Sequence, residues 1–225
     1  MNNCAIIMCT WKRIEKLEKT FEMLTAQTNQ DFTFHIWNNN ADISEEVSSI
    51  VRKQNITTNV HHSFKNIGGL GRFKMAKTLT HVVDKVIFID DDQIFDKNMV
   101  EIFLNSYDVN SIKSRWAWKF KTNSYKSRYK ISDGNVNVHY CGTGGMIVPS
   151  WLFTKPEVFQ IPEKYQFIED LWLCFVANHI YKMQLVSIAD SGFIRQIEDG
   201  LDQYPSLFEL KDEFLKYLTE QGWNL

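Results

Sequence analysis

The apolar residues of this chain fall into short blocks with two rhythms. Cys4-Ala5-Ile6-Ile7-Met8-Cys9 is a continuous apolar run of strand length, the pattern of a strand buried on both faces. Ile14, Leu17, Phe21 and Leu24 follow at spacings of three and four among charged residues, which predicts an amphipathic helix. Phe32 to Trp37 reads as a second strand by β-propensity, stopped by the turn-forming Asn38-Asn39-Asn40. Ile43, Val47, Ile50 and Val51 predict another helix, and Asn59 to Phe64 a third strand. The glycine-rich Asn66-Ile67-Gly68-Gly69-Leu70-Gly71-Arg72 opens a helix striped by Leu70, Phe73, Ala76, Leu79 and Val83. Val86-Ile87-Phe88-Ile89 is a fourth strand, ending abruptly in Asp90-Asp91-Asp92.

This β-α-β-α-β-α-β order predicts an α/β fold with a largely parallel sheet and helices on both faces. Ligands of such sheets bind beyond the carboxyl ends of the strands, where the polar clusters after Cys9, Trp37, Phe64 and Ile89 converge. The second half is less regular. Trp116 to Phe120 and Val136 to Tyr140 alternate like antiparallel strands, and Gly142-Thr143-Gly144-Gly145 leads into Met146-Ile147-Val148. A helix starts near Glu169-Asp170 and carries Leu171, Trp172, Phe175, Val176 and Ile180. Leu185 to Ile188 reads as a late strand, and Leu207, Leu210, Phe214, Tyr217 and Leu218 mark a C-terminal helix. No linker divides residues 1–225, so one domain is expected.

Charge and composition narrow the function. The 225 residues carry 25 basic and 27 acidic side chains, without the basic excess of a nucleic-acid binder. No apolar run approaches a membrane span, and the first ten residues lack the features of a signal peptide. A cytoplasmic location is therefore expected. The four cysteines form no CxxC pair, which disfavours a zinc site and favours reduced thiols.

Three segments carry candidate chemistry. Asp90 and Asp92 lie two positions apart at a strand end, so they can face the same way and share a divalent cation. Hard oxygen ligands suit Mg²⁺ or Mn²⁺, which keep open positions for diphosphate oxygens. A bare acidic triplet is as often a surface turn; directly after a wholly apolar strand, the ligand role is favoured. Glu169-Asp170 precedes an apolar helix. Alone, such a pair more often stabilises the helix dipole, and in a cleft it supplies a general base. The glycines of 142–145 and 68–71 allow close backbone approach to a ligand or merely bend the chain. Amides at the second of these could meet a phosphate, with Arg72 assisting. Thr10, Trp11 and Arg13 follow the first strand, where a nucleotide would lie. Asn38 and Asn39 suit either a base edge or a turn, and Arg195, in a loop after the last strand, is placed to close over a diphosphate.

Taken together, the order of these features resembles the GT-A nucleotide-diphospho-sugar glycosyltransferases, particularly family-2-like enzymes. The matching pieces are Ile6 to Arg13, Trp37-Asn38-Asn39, Asn66 to Arg72, Asp90-Asp91-Asp92 as a DxD motif, Gly142 to Gly145, and Glu169-Asp170 as an ED motif. The small size is also similar to glycosyltransferase modules of large algal viruses and some bacteria. The resemblance implies a nucleotide-binding half over 1–95, with Thr10, Trp11, Arg13, Asn38, Asn39, Asn66, Gly69, Arg72, Asp90, Asp91, Asp92 and Arg195 at a UDP-sugar. Asp90 and Asp92 would hold Mn²⁺ or Mg²⁺, with Asp91 near the ribose or sugar. It implies an acceptor-binding half over 96–225, with Gly142, Thr143, Gly144, Gly145 and Trp172 facing a glycan or other hydroxyl acceptor. Asp170 would be the base that gives inversion, with Glu169 the alternative. Two features depart from the family: many relatives carry Asp at the positions of Asn38 and Asn39, and the usual basic or histidine-bearing C-terminal motif is not evident.

Rival readings draw on the same residues. A haloacid-dehalogenase-like phosphatase also places Asp-x-Asp after an apolar strand, but near the start of the chain and with Thr or Val where Ile94 stands. A non-catalytic sugar-nucleotide or glycan-binding protein would use Trp116 and Trp118 to stack on sugars. A sugar-nucleotide pyrophosphorylase would want glycine in the loop Thr10 to Arg13, which has none.

Overall fold

The structure, a computed structural model, describes residues 3–197 and 204–225, with backbone only for 204–206. In chain order the strands and helices are β1 (Cys4–Thr10), α1 (Leu17–Thr25), β2 (Thr33–Asn38), α2 (Ser44–Arg52), β3 (Thr58–His62), α3 (Leu70–Leu79), β4 (Lys85–Asp90), β5 (Gln93–Phe95) and α4 (Met99–Ser106). There follow β6 (Ser111–Ser114), β7 (Ala117–Phe120), β8 (Arg128–Ile131), β9 (Tyr140–Cys141), β10 (Met146–Pro149), α5 (Glu169–Phe175), β11 (Gln184–Ser187), β12 (Ile194–Gln196) and α6 (Tyr204–Glu220).

Seven strands form the central sheet in the order β11-β6-β10-β4-β1-β2-β3, so both halves of the chain contribute to it. All neighbours are parallel except β10, which runs against β4 and β6. The apolar runs of β1 and β4 have the physical cause expected of them. Ala5 and Ile7 face one core with Val86 and Phe88, while Cys4, Ile6 and Met8 face the other with Ile87 and Ile89. Successive strand residues point to opposite faces, so a strand covered on both sides must be apolar throughout. Helices α1, α2 and α4 cover one face through Phe21, Val47 and Phe103; α3, α5 and α6 cover the other through Phe73, Leu171 and Phe214. A three-stranded antiparallel sheet β8-β7-β9 and a two-stranded sheet β12-β5 complete the strands.

The fold class follows the expectation, with local differences. Val136 to His139 is not a strand; Val138 N–H donates to Leu185 O, Ser187 N–H donates to Val136 O, and one isolated bridge joins Asn137 to Val186. The segment crosses the edge of β11 on its way to β7, so its alternation never meets a full ladder. Helix α5 ends in a wider π-turn at Val176–Ile180. Among the described residues, no helix is long and apolar enough to cross a membrane.

The chain leaves β1 toward β2 and β3, then returns to place β4 on the other side of β1. That reversal opens a crevice at the carboxyl ends of β1 and β4. Phe88, 0% exposed and packed against Phe73 and Phe153, anchors β4 there. Phe88→Ala is expected to cost about 3–5 kcal/mol in urea denaturation. Phe64→Ala, at a side chain fully exposed to solvent, should change stability by less than about 0.5 kcal/mol.

Candidate active site

In the ladder between β1 and β4, Cys9 stands opposite Asp90. Polar chemistry therefore begins on both strands at the same level. A cavity of about 190 Å³ opens at this point. Thr10, Trp11, Lys12 and Arg13 line it from β1, Asn39 from the end of β2, Asn66, Gly68 and Arg72 from the approach to α3, and Asp90, Asp91 and Asp92 from β4.

The three carboxylates are met by two arginines. Arg72 Nη1 donates to Asp90 Oδ1 at 2.8 Å. Arg13 reaches Asp91 at 3.2 Å and Asp92 at 3.4 Å. Burial pushes the Asp91 carboxyl up by more than Arg13 pulls it down. Arg72 is itself 6% exposed, and the charges of Asp90, Cys9 and Glu169 raise its pKa despite burial, so it stays a cation. Among the described residues, no group of three or more His, Cys, Asp and Glu is arranged to hold a metal ion.

A second cavity, of about 420 Å³, lies on the side of the small sheet. Trp116, Trp118, Tyr125 and Tyr140 give it aromatic walls, and Arg128, Lys211, Asp170, Gln196 and the backbone of Gly142, Thr143 and Gly144 give it polar ones. Asp90 and Asp92 line this cavity too, so the two spaces share a wall. Gln93 builds the junction. Its Oε1 accepts Asp90 N–H at 3.0 Å and its Nε2 donates to Gly144 O at 3.0 Å. A Cβ on Gly144 would sit 2.2 Å from Asp90 Oδ2, so a side chain there would displace the Asp90 carboxylate.

Glu169 and Asp170 have unlike surroundings. Asp170 opens on the second cavity, and its carboxylate accepts from Tyr140 Oη and from Lys211 Nζ at 3.3 Å. Glu169 is 6% exposed and lines neither cavity. It lies so close under the start of α3 that a Cβ on Gly69 would fall 1.6 Å from its Oε1. Burial, with Asp170 adding to it and Arg72 opposing it, pushes Glu169 up from 4.5 to about 7.

The structure thus gathers Thr10, Trp11, Arg13, Asn39, Asn66, Arg72, Asp90, Asp91 and Asp92 at one cavity, and Gly142, Thr143, Gly144 and Asp170 at the other. It does not bring the remaining expected residues there. Asn38 is fully buried, and its amide serves the turn through Asn40 O at 2.7 Å and the His62 ring at 3.1 Å. Gly69 and Gly145 line neither cavity; Gly145 N–H ties its loop to Phe88 O at 2.9 Å. Trp172 is a core residue, with its Nε1 donating to Glu157 O at 3.0 Å and its ring among Phe175 and Phe214. Arg195 sits in strand β12 rather than a loop, and its guanidinium is engaged by Asp96 at 3.0 Å and Gly192 O at 2.9 Å. Sequence reasoning missed Lys12, Gln93, Tyr125, Arg128, Tyr140, Gln196 and Lys211 at the site. Of these Lys211 left a visible signal. It falls on the stripe Leu207, Lys211, Phe214, Leu218 of a helix, where a charge has no packing reason to be.

Glu169 takes up a proton in the folded state at a pH where the unfolded chain has already lost it. Its contribution to stability is therefore full below about pH 4.5 and lost as pH rises through about 7. Relative to Glu169→Gln, the native protein should lose up to about 3 kcal/mol over that window. Urea denaturation of both proteins at pH 5 and pH 8 measures it. An unchanged difference would mean Glu169 is ionised throughout.

No known protein family and no curated protein matches the sequence. Solved structures do match the fold. TarS 1–349 of S. aureus in complex with UDP-GlcNAc superposes with a TM-score of 0.65 at 15% identity, over 91% of this chain and 61% of that one. TarS 1–349 in complex with UDP gives 0.61 at 14% identity, over 85% of this chain and 59% of that one. A further TarS structure gives 0.61 at 14% identity, over 91% of this chain and 38% of the other. This chain spans about three-fifths of TarS 1–349. The likeness is one of fold, a GT-A-like glycosyltransferase fold.

Proposed function

We propose that this chain is a metal-dependent glycosyltransferase that moves a sugar from a nucleotide-diphospho-sugar to a hydroxyl of a glycan or other acceptor, with inversion. The donor is a UDP-sugar, a choice supported by the likeness to TarS structures holding UDP and UDP-GlcNAc. One observation carries the reading: a polar cavity at the β1–β4 crevice and an aromatic-walled cavity share Asp90 and Asp92 as their common wall. A diphosphate in the first and an acceptor in the second would bring their reacting atoms together at that wall.

Charge supports the metal. Asp90, Asp91 and Asp92 are matched by Lys12, Arg13 and Arg72 around the first cavity, which is formally neutral. A diphosphate therefore finds no surplus of protein cations. Two carboxylates at one edge suit a hard divalent ion that completes its shell with phosphate oxygens and water. Asp90 and Asp92 would hold Mn²⁺ or Mg²⁺ there, supplying positive charge to the departing UDP. Arg72 and Arg13 keep the carboxylates apart and oriented, and Thr10, Trp11, Asn39 and Asn66 receive the nucleotide. Asp170 accepts the proton of the acceptor hydroxyl as its oxygen bonds to the anomeric carbon. The bond from that carbon to the phosphate oxygen breaks, and its electron pair leaves on UDP.

The test is UDP release over a panel of donors and acceptors, with Mn²⁺ and with chelator. Asp92→Ala should lower turnover about 100-fold or more. Asp170→Asn should lower it about 100- to 10,000-fold, with UDP affinity retained. A fully active Asp92→Ala would sink the metal assignment. Tight UDP-sugar binding with no transfer to any acceptor would favour a binding protein instead.

A further inference from the structure

Asp170 is held from three directions. Its Oδ1 accepts the N–H of Leu171 at 2.8 Å. Its Oδ2 accepts from Tyr140 Oη and from Lys211 Nζ, the latter at 3.3 Å. The ammonium also lies 3.5 Å from Tyr140 Oη and beside the rings of Tyr125 and Tyr140. Lys211 is 7% exposed. Its place on α6 lies on an apolar stripe, where a leucine would pack without the cost of desolvating a charge. A buried ammonium is retained only where it is paired, and here the pairing falls on the carboxylate that opens on the second cavity.

We propose that Lys211 and Tyr140 are positioning residues for Asp170: together they fix the orientation of its carboxylate for the acceptor hydroxyl. The inference rests on the glycosyltransfer reading, in which Asp170 is the base. The other groups facing Asp170 make the case for Lys211. Glu169 and Cys174 share its helix, and burial favours the neutral form of both. Asp90 and Asp92 face it across the cavity with the same sign, and Arg128 lines that cavity as a cation. Tyr125 stands behind Tyr140, and Arg72 acts on Glu169. Among the described residues, Lys211 is the cation in direct contact. Burial and Asp170 push the Tyr140 phenol well above its ordinary value, so it remains a donor. Both donors lie on one oxygen, which locks the rotamer. The carboxylate is then pre-oriented rather than recruited at each turnover.

The experiment measures kcat and donor KM for UDP release by the full chain. Lys211→Met should lower kcat at neutral pH about 10-fold, with donor KM within about twofold. Lys211→Arg should restore most of kcat. Tyr140→Phe keeps the ring and its packing, guards against misfolding of the lysine variant, and should lower kcat by less. Lys211→Met added to Asp170→Asn should cost little beyond Asp170→Asn alone. An equal loss from Lys211→Met with and without Asp170→Asn would overturn the proposal, because damaged packing lowers kcat independently of Asp170. A protein that binds UDP-sugar and transfers it to no acceptor would instead sink the glycosyltransfer reading, and with it the role of base.

Discussion

Three adjacent carboxylates at the end of a strand buried on both faces are the constraint around which the molecule is arranged. β4 is apolar from Val86 through Ile89, so the polar groups at its carboxyl end begin at Asp90. Charges of one sign so close together need cations near them, and those cations must come from elsewhere in the chain. Arg72 comes from the first turn of α3 and Arg13 from the loop after β1. Arg72 is a buried cation in its own right, and Asp90 on one side and Glu169 on the other offset its desolvation. Each charge thus answers another, and removing one uncovers the next.

The second half of the chain is fitted to the same point. Gln93 links the end of β4 to Gly144, and Gly145 N–H closes on Phe88 O. These contacts bring the loop between β9 and β10 against Asp90, which makes the carboxylates a wall between two cavities. The small antiparallel sheet, with the residue that leads into it, then needs only to present Trp116, Trp118 and Tyr140 on the far side. Position at a strand end comes from backbone ladders, so the wall is set by the most rigid part of the fold.

How much of this the sequence disclosed depended on whether the cause was local. β1 and β4 were legible because a strand covered on both faces must be continuously apolar, and the acidic edge of the sheet was legible because charge after such a run is costly. β5 and β12 were not, since each has three residues and exists by pairing with a partner about a hundred residues away. Arg195 went to the wrong place for that reason: its strand, and the Asp96 it engages, are created by a distant pairing. Trp172 shows the limit of periodicity, which marks a helix face as apolar without telling core from cleft. Asn38 and Asn39 are neighbours of equal chemistry, and only the turn geometry sends Asn38 inward and Asn39 to the cavity. Lys211 interrupts an apolar stripe, a signal that was missed, and its partner lies 41 residues earlier on another helix.

The adjacent pair Glu169-Asp170 does two jobs because successive residues on a helix point about 100° apart. One carboxylate enters the interior beneath α3, where burial pushes it to about 7 beside Arg72. The other opens on the aromatic cavity, where Lys211 and Tyr140 donate to it. Carboxylates whose surroundings differ in this way separate into different roles. Glu169 lines neither cavity, whereas Asp170 lines the second. Glu169 instead sits beneath the turn that delivers Arg72 to Asp90. A single turn of helix thereby ties the charges around Arg72 and Asp90 to the wall of the second cavity.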